Sequence, residues 1–248
     1  MTTLDSSVLA DLAPTGVLRA AINYGNPVLA QRDMSGTPAG VSTQLAKALA
    51  DELNVAIELV TFDAAGKVFA ALTESIWDLA FLAIEPVRSA EIEFSHPYVI
   101  IEGTYLVRDA SAYQAVAELD HLGARLAVGK GAAYDLYLSR TLTAAGLIRA
   151  PTSAAAVEWF VEQGLEAAAG VRQPLEDFAA KNEGFRILPD SFTEIRQAMA
   201  IPKGRTAGAE YVRAFLDRKI SNGFVAEALR ASGQEDVRVG PALNEQGQ

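Results

Sequence analysis

Arg88 has the most to offer chemically in this chain. It follows the apolar run Leu79-Ala80-Phe81-Leu82-Ala83-Ile84 through Glu85-Pro86-Val87. That places it just past the carboxyl end of a buried parallel strand, the edge where open α/β sheets bind small ligands. A guanidinium there presents a planar fork matched to a carboxylate. Read from the residues alone, a surface Arg paired with Glu85 or Glu91 is an equally good account. The second candidate is the turn Gly129-Lys130-Gly131, set between a strand and a helix, where backbone N–H groups and the helix dipole favour an anion. An ordinary tight turn is the alternative. It is no dinucleotide fingerprint, because Tyr134 stands where the third glycine would fall, and no phosphate-loop motif occurs in the chain.

Other chemistries find little support. His96 and His121 are the only histidines, far apart and without ligand-type spacing. His96 precedes Pro97 and is expected to end a strand. The chain has no Cys, which excludes disulfides, thiol nucleophiles and Cys-type metal sites. No G-x-S-x-G elbow is present. Glu91/Glu93 and Glu235/Asp236 read as solvated charges. No metal and no cofactor is implied.

The elements that must position Arg88 and the turn alternate. Residues 4–13 read as a short helix, Val17–Ile22 as a strand ending in Asn23-Tyr24-Gly25-Asn26-Pro27. Val41, Leu45, Leu49 and Leu53 recur every fourth residue, an amphipathic helix. Val55–Phe62 reads as a strand, Ala65–Thr73 as a helix, and Asp78–Ile84 as a buried strand. The pattern restarts with a strand at Arg125–Val128, helices at Ala133–Ala144 and Ser153–Glu162, and a strand at Leu165–Val171. Strands alternating with helices indicate βαβ units and a parallel sheet. Two long extended segments, Tyr98–Val107 and Ile195–Ile201, join the halves, and helices at Gly208–Ile220 and Gly223–Ser232 return to the first. The expected architecture is therefore α/β, with two lobes: lobe 1 from residues 1–106 plus 200–248, lobe 2 from 107–199, and a ligand cleft between them.

Composition narrows the partners. Of 248 residues half are apolar, and Lys+Arg 21 against Asp+Glu 31 leaves a net charge of −10. That composition folds, and it disfavours nucleic acid and anionic membranes. No apolar run is long enough to span a bilayer. The amino terminus shows no cationic, apolar export signal, so the chain as written is expected to be cytoplasmic. A processed periplasmic protein given a new initiator Met would read the same way.

Several segments in register resemble one family, the solute-binding proteins of ABC transporters, in the type II periplasmic-binding fold of the amino-acid-binding cluster. Leu18-Arg19-Ala20-Ala21-Ile22 is similar to the family's opening strand, and Gly40–Leu49 to its first long helix. Trp77-Asp78-Leu79-Ala80, then Arg88, then Phe94-Ser95-His96-Pro97-Tyr98 match its central pattern. Gly164-Leu165-Glu166-Ala167-Ala168 sits where it has "G-x-V-D-A-V". The resemblance covers about residues 14–232. It implies two α/β lobes, each a mostly parallel sheet flanked by helices, joined by a two-strand hinge that closes on a small ligand. It also implies that Arg88 clamps a ligand carboxylate and that Lys130, Gly131, Ala132 and Ala133 supply N–H groups to the same anion. Asn23, Tyr24 and Asn26 would line the cleft wall.

The departures from the family pattern are informative. Ala83-Ile84-Glu85 replace the hydroxyl residues before the Arg. The acidic residue that usually holds the ligand amine aligns near Val171-Arg172, so an anion is lost and a cation, Arg172, is gained; a second anionic group on the ligand, or a neutral polar group, fits that exchange better than an ammonium. Glu85 or Glu102 remains to supply negative charge from another direction. The expectation is a binding protein for a small carboxylate-bearing solute other than a plain α-amino acid, with no chemistry of its own. It would be monomeric, with an ABC permease as partner if exported. The alternatives are a ligand sensor on the same fold, and a lyase similar to the cyclohexadienyl dehydratases with Glu85, Glu102 or Glu166 as its acid.

Overall fold

The computed structural model describes residues 5–242. Residues 1–4, which begin both the export reading and the first predicted helix, lie outside that range. Helix α1 (Ser6–Leu12) is capped by the Asp5 carboxylate, which accepts the Ser7 N–H. Strand β1 (Val17–Asn23) and a hairpin of β2 (Gln31–Arg32) and β3 (Pro38–Ala39) lead into α2 (Val41–Leu53). The four-residue repeat Val41, Leu45, Leu49, Leu53 forms the buried face of α2. Then come β4 (Ala56–Phe62), α3 (Ala65–Ala70), β5 (Leu79–Ala83) and the single turn α4 (Pro86–Ser89), which carries Arg88. β4, β1 and β5 form a parallel block. All of β5 is buried, as a strand covered on both faces requires.

β6 (Ile92–Arg108) is a long strand that leaves this block and enters a second one. The second block holds β7 (Arg125–Gly129), α5 (Ala133–Thr141), β8 (Gly146–Ala150), α6 (Ser153–Glu162), β9 (Ala167–Val171) and α7 (Arg172–Lys181). Here β7 lies between β8 and β9, parallel to both. After β10 (Phe185–Ile187) the chain returns along β11 (Thr193–Pro202), antiparallel to both β5 and β6. α8 (Thr206–Ser221) packs on α1 and β6, α9 (Phe224–Ala231) on α2, and β12 (Arg238–Val239) pairs with β6. The sheet order β4-β1-β5-β11-β6-β9-β7-β8 is thus two parallel blocks joined by one antiparallel pair. This is the two-lobed type II periplasmic-binding fold.

Some expectations need correction. His96 does not end a strand but lies inside β6. Pro97, which has no N–H to donate, falls at an irregularity where the register against Ala198 shifts. α5 ends at Thr141, and β8, α7 and β10 were not anticipated. Among the described residues no helix is long and apolar enough to cross a membrane.

Asp78 is fully buried. Its carboxylate accepts from Arg19 Nε at 2.7 Å and from Arg205 Nη1 at 2.8 Å, tying β1 and the start of β5 to the residue that caps α8. Removing one member of a buried charged cluster leaves the others uncompensated. Asp78→Asn is expected to lower unfolding stability by about 3 kcal/mol, measurable by urea denaturation; a loss within error would show the cluster to be dispensable.

Candidate functional site

The two lobes enclose a cavity of about 510 Å³. From the first lobe, Asn23, Tyr24 and Asn26 reach it from the turn after β1, with Ala83 at the end of β5 and Arg88 beyond. The second lobe contributes Lys130, Ala132 and Ala133 at the mouth of α5, and Thr152, Ser153 and Val157 at the start of α6. Val171 and α7 close the far side, and Gln197 enters from β11. Adjacency follows from register: Gln197 pairs with Ala83, and β1 lies beside β5, so Asn23, Ala83 and Gln197 share one sheet edge.

Arg88 is the centre of this arrangement. It is 1% exposed, yet among the described residues no carboxylate is bonded to it. Its Nη1 donates to the Ala83 carbonyl at 3.0 Å in its own lobe, and its Nη2 to the Gly131 carbonyl at 2.8 Å in the other. Nε is buried without a partner. Burial pushes the guanidinium down to about 10, against a smaller upward pull from Glu85, so it is charged at neutral pH. The Tyr24 hydroxyl is also buried and unpartnered. Buried polar atoms are nearly always bonded, and these two groups are left able to bond a polar atom that enters the cavity.

The expected contribution of the Gly129–Ala133 turn needs correction. The Lys130 N–H donates to the Ala150 carbonyl and the Ala132 N–H to that of Gly129. The Gly131 N–H goes to the Asp135 carboxylate at 2.8 Å. Asp135, one turn into α5, reaches back over the turn and is itself held by Arg149. The amides of residues 130–132 are therefore spent within the protein. Ala133, the first residue of α5, begins a helix with no side-chain cap.

Arg172 and Glu85 do not line the cavity. Arg172 bonds Glu102 at 2.6 Å and donates to the carbonyls of Leu188, Pro189 and Asp190, so the cation gained in sequence serves the second lobe's framework. Val171, its neighbour, faces the cavity. Glu85 bonds Arg140 at 2.5 Å across the interlobe gap. Glu166 is held by Arg125: burial raises its carboxyl, but bonds from the Arg125 side chain and N–H outweigh this and hold it below the ordinary range. All three proposed acids are thus engaged by arginines. The cavity's own carboxylates, Asp63 and Glu158, are both solvent-exposed, and Asp63 is paired with Lys67. Sequence reasoning missed Gln197, Thr152, Ser153 and α7, because only the return of β11 and the packing of α6 bring them to the cleft. Among the described residues no cluster of ligands could hold a metal.

A sequence model of the bacterial extracellular solute-binding proteins, family 3, matches residues 18–231, and the chain belongs to that family. A comparison with curated proteins gave no match. Among solved structures, a mutant form of ArgBP from T. maritima is similar at a TM-score of 0.79 and 20% identity, over 92% of this chain and all of that one. The ancestral amino acid-binding protein AncCDT-1, described as a precursor of cyclohexadienyl dehydratase, is similar at 0.75 and 24%, over 90% and 98%. A histidine kinase sensor domain is similar at 0.76 and 21%, over 93% and all of it. At these identities the likeness is one of fold.

The lobes meet backbone to backbone. A Cβ at Gly66 of α3 would lie 2.7 Å from the Lys130 carbonyl oxygen, and one at Gly131 would lie 2.8 Å from the Gly66 Cα. Gly66→Ala keeps an ordinary helical backbone but obstructs this approach. It is expected to hold the lobes further apart, read as a larger radius of gyration in small-angle X-ray scattering; an unchanged profile would show that the contact does not limit closure.

Proposed function

We propose that this protein binds a small carboxylate-bearing solute, other than a plain α-amino acid, between its two lobes, and performs no chemistry on it. The observation that carries this reading is Arg88, a buried guanidinium bonded only to carbonyls. A net positive charge away from water is costly, and a ligand carboxylate supplies the missing anion together with acceptors for its N–H groups. A zwitterion would bring its own ammonium into the same space, and the buried wall has no carboxylate to receive it. The bound site would then keep a net charge of +1 instead of zero.

Binding without turnover is supported by the arginine partners of Glu85, Glu102 and Glu166. Each is held in an ion pair and none of them lines the cavity, whereas a general acid must reach the atom it protonates. Residues 107–199 would move as one lobe against the rest about β6 and β11, closing on the ligand. The family's extracellular character supports a place outside the cytoplasm, with the monomer delivering its solute to an ABC permease.

Arg88→Ala should keep its fold and lose about 2–5 kcal/mol of binding, measured by calorimetry with whichever carboxylate stabilises the wild type in a thermal-shift screen. Unchanged affinity would place the ligand elsewhere. Because the charged guanidinium is the binding form, affinity should stay flat from about pH 6 to 9. It should fall only as pH rises through about 10; a loss beginning near neutrality would implicate a different group.

A further inference from the structure

We propose that the ligand is a hydrophobic monocarboxylate: one anionic group on Arg88 and an aryl or branched-alkyl body, with no second charge of either sign. This rests on the carboxylate reading above and specifies the rest of the molecule.

The first support is the apolar part of the cavity's lining. Val157, Val171, Pro174, Leu175, Phe178 and Ile195 contribute to it, so a body extending from the carboxylate meets methyl, methylene and ring carbons. An apolar body gains there by leaving water, and a short polar acid would leave that lining without contacts. The second support is the disposition of cations. A second anionic group would need one, and Arg172, Arg140 and Arg149 are committed to Glu102, Glu85 and Asp135, while Arg32, stacked 4.1 Å over the Tyr24 ring, is exposed and does not line the cavity. Lys130, the one lysine among the described residues that lines the cavity, is exposed. The third is the disposition of anions. Asp63 and Glu158, exposed as they are, leave an ammonium deep in the cleft unanswered. What remains inside is neutral: the amides of Asn23, Asn26 and Gln197 and the hydroxyls of Tyr24, Thr152 and Ser153, which accommodate an uncharged oxygen function but neutralise nothing.

Matched pairs separate these terms. Isocaproate and L-leucine share a carbon skeleton and differ by the ammonium, as do hydrocinnamate and L-phenylalanine; butanoate and succinate differ by a second carboxylate. In calorimetry on the full chain, isocaproate and hydrocinnamate should bind, each tail methylene removed weakening binding about fourfold. L-leucine, L-phenylalanine and succinate should each bind at least about 100-fold more weakly than the apolar acids. Val171→Asp, which places a carboxylate on the wall, should shift the leucine-to-isocaproate ratio by at least about tenfold towards leucine. Tighter binding of succinate than of isocaproate, still dependent on Arg88, would overturn this inference and leave the proposed function standing; tighter binding of L-leucine would overturn this inference and the exclusion of α-amino acids, leaving only the carboxylate contact of Arg88. Failure of every carboxylate in the panel to bind would overturn both this inference and the proposed function.

Discussion

A buried positive charge with no negative partner is an unstable thing to build, and the rest of this molecule can be understood as the scaffold that tolerates it. The Arg88 guanidinium is held by the Ala83 carbonyl in one lobe and the Gly131 carbonyl in the other. Carbonyl dipoles offset part of the desolvation cost but not the charge itself. The arginine keeps its proton at neutral pH while its affinity for that proton falls. Such a group is poised to gain from an anion, and the gain is larger where water is excluded. The lobes create that exclusion.

Each lobe secures its strand edge by the same device. Asp78, immediately before β5, takes the backbone N–H and guanidinium of Arg19 on β1. Glu166, immediately before β9, takes the backbone N–H and guanidinium of Arg125 on β7. In both cases an acid at the foot of one parallel strand clips the foot of its neighbour. The carboxyl ends of those strands, at the opposite edge, border the cavity: Asn23 and Ala83 in one lobe, Gly129 and Val171 in the other. Asp78 and Glu166, the acids inside the family-like segments, thus sit at the edge of the sheet away from the cavity.

This explains what could be read from the chain and what could not. Arg88 was legible because its position depends only on a buried strand and a one-turn connection, both local in sequence. The two-block architecture was legible because apolar runs and four-residue repeats report burial directly. Arg172 was not, because the residue before it faces the cleft and its own side chain turns to Glu102, a partner from β6. The anion site at residues 130–132 was misjudged for a related reason. The turn does aim at the interlobe space, but Asp135 takes the Gly131 amide, a bond that turn chemistry alone does not reveal. The short, weakly patterned β8 and β10 gave no periodicity to read, and Pro97 suggested a strand end where an irregular register lets the strand continue.

The polar contacts between the lobes also constrain what closes them. Glu85–Arg140 involves an arginine side chain that is 42% exposed, and ion pairs of that kind contribute about 1 kcal/mol or less. The Arg88–Gly131 bond joins a charge to a neutral carbonyl and leaves the charge uncompensated. Neither supplies a strong preference for the closed arrangement in the absence of ligand. A ligand can shift the balance only by the difference between its affinities for the two arrangements. A carboxylate that meets Arg88 from the first lobe while its apolar body meets Val157, Val171 and Phe178 of the second has that difference built in. Half of its interactions exist only when the lobes are together. A ligand confined to Arg88 alone would bind the first lobe in either state and close nothing, so the proposed function requires the apolar surface of α6 and α7 as much as the arginine.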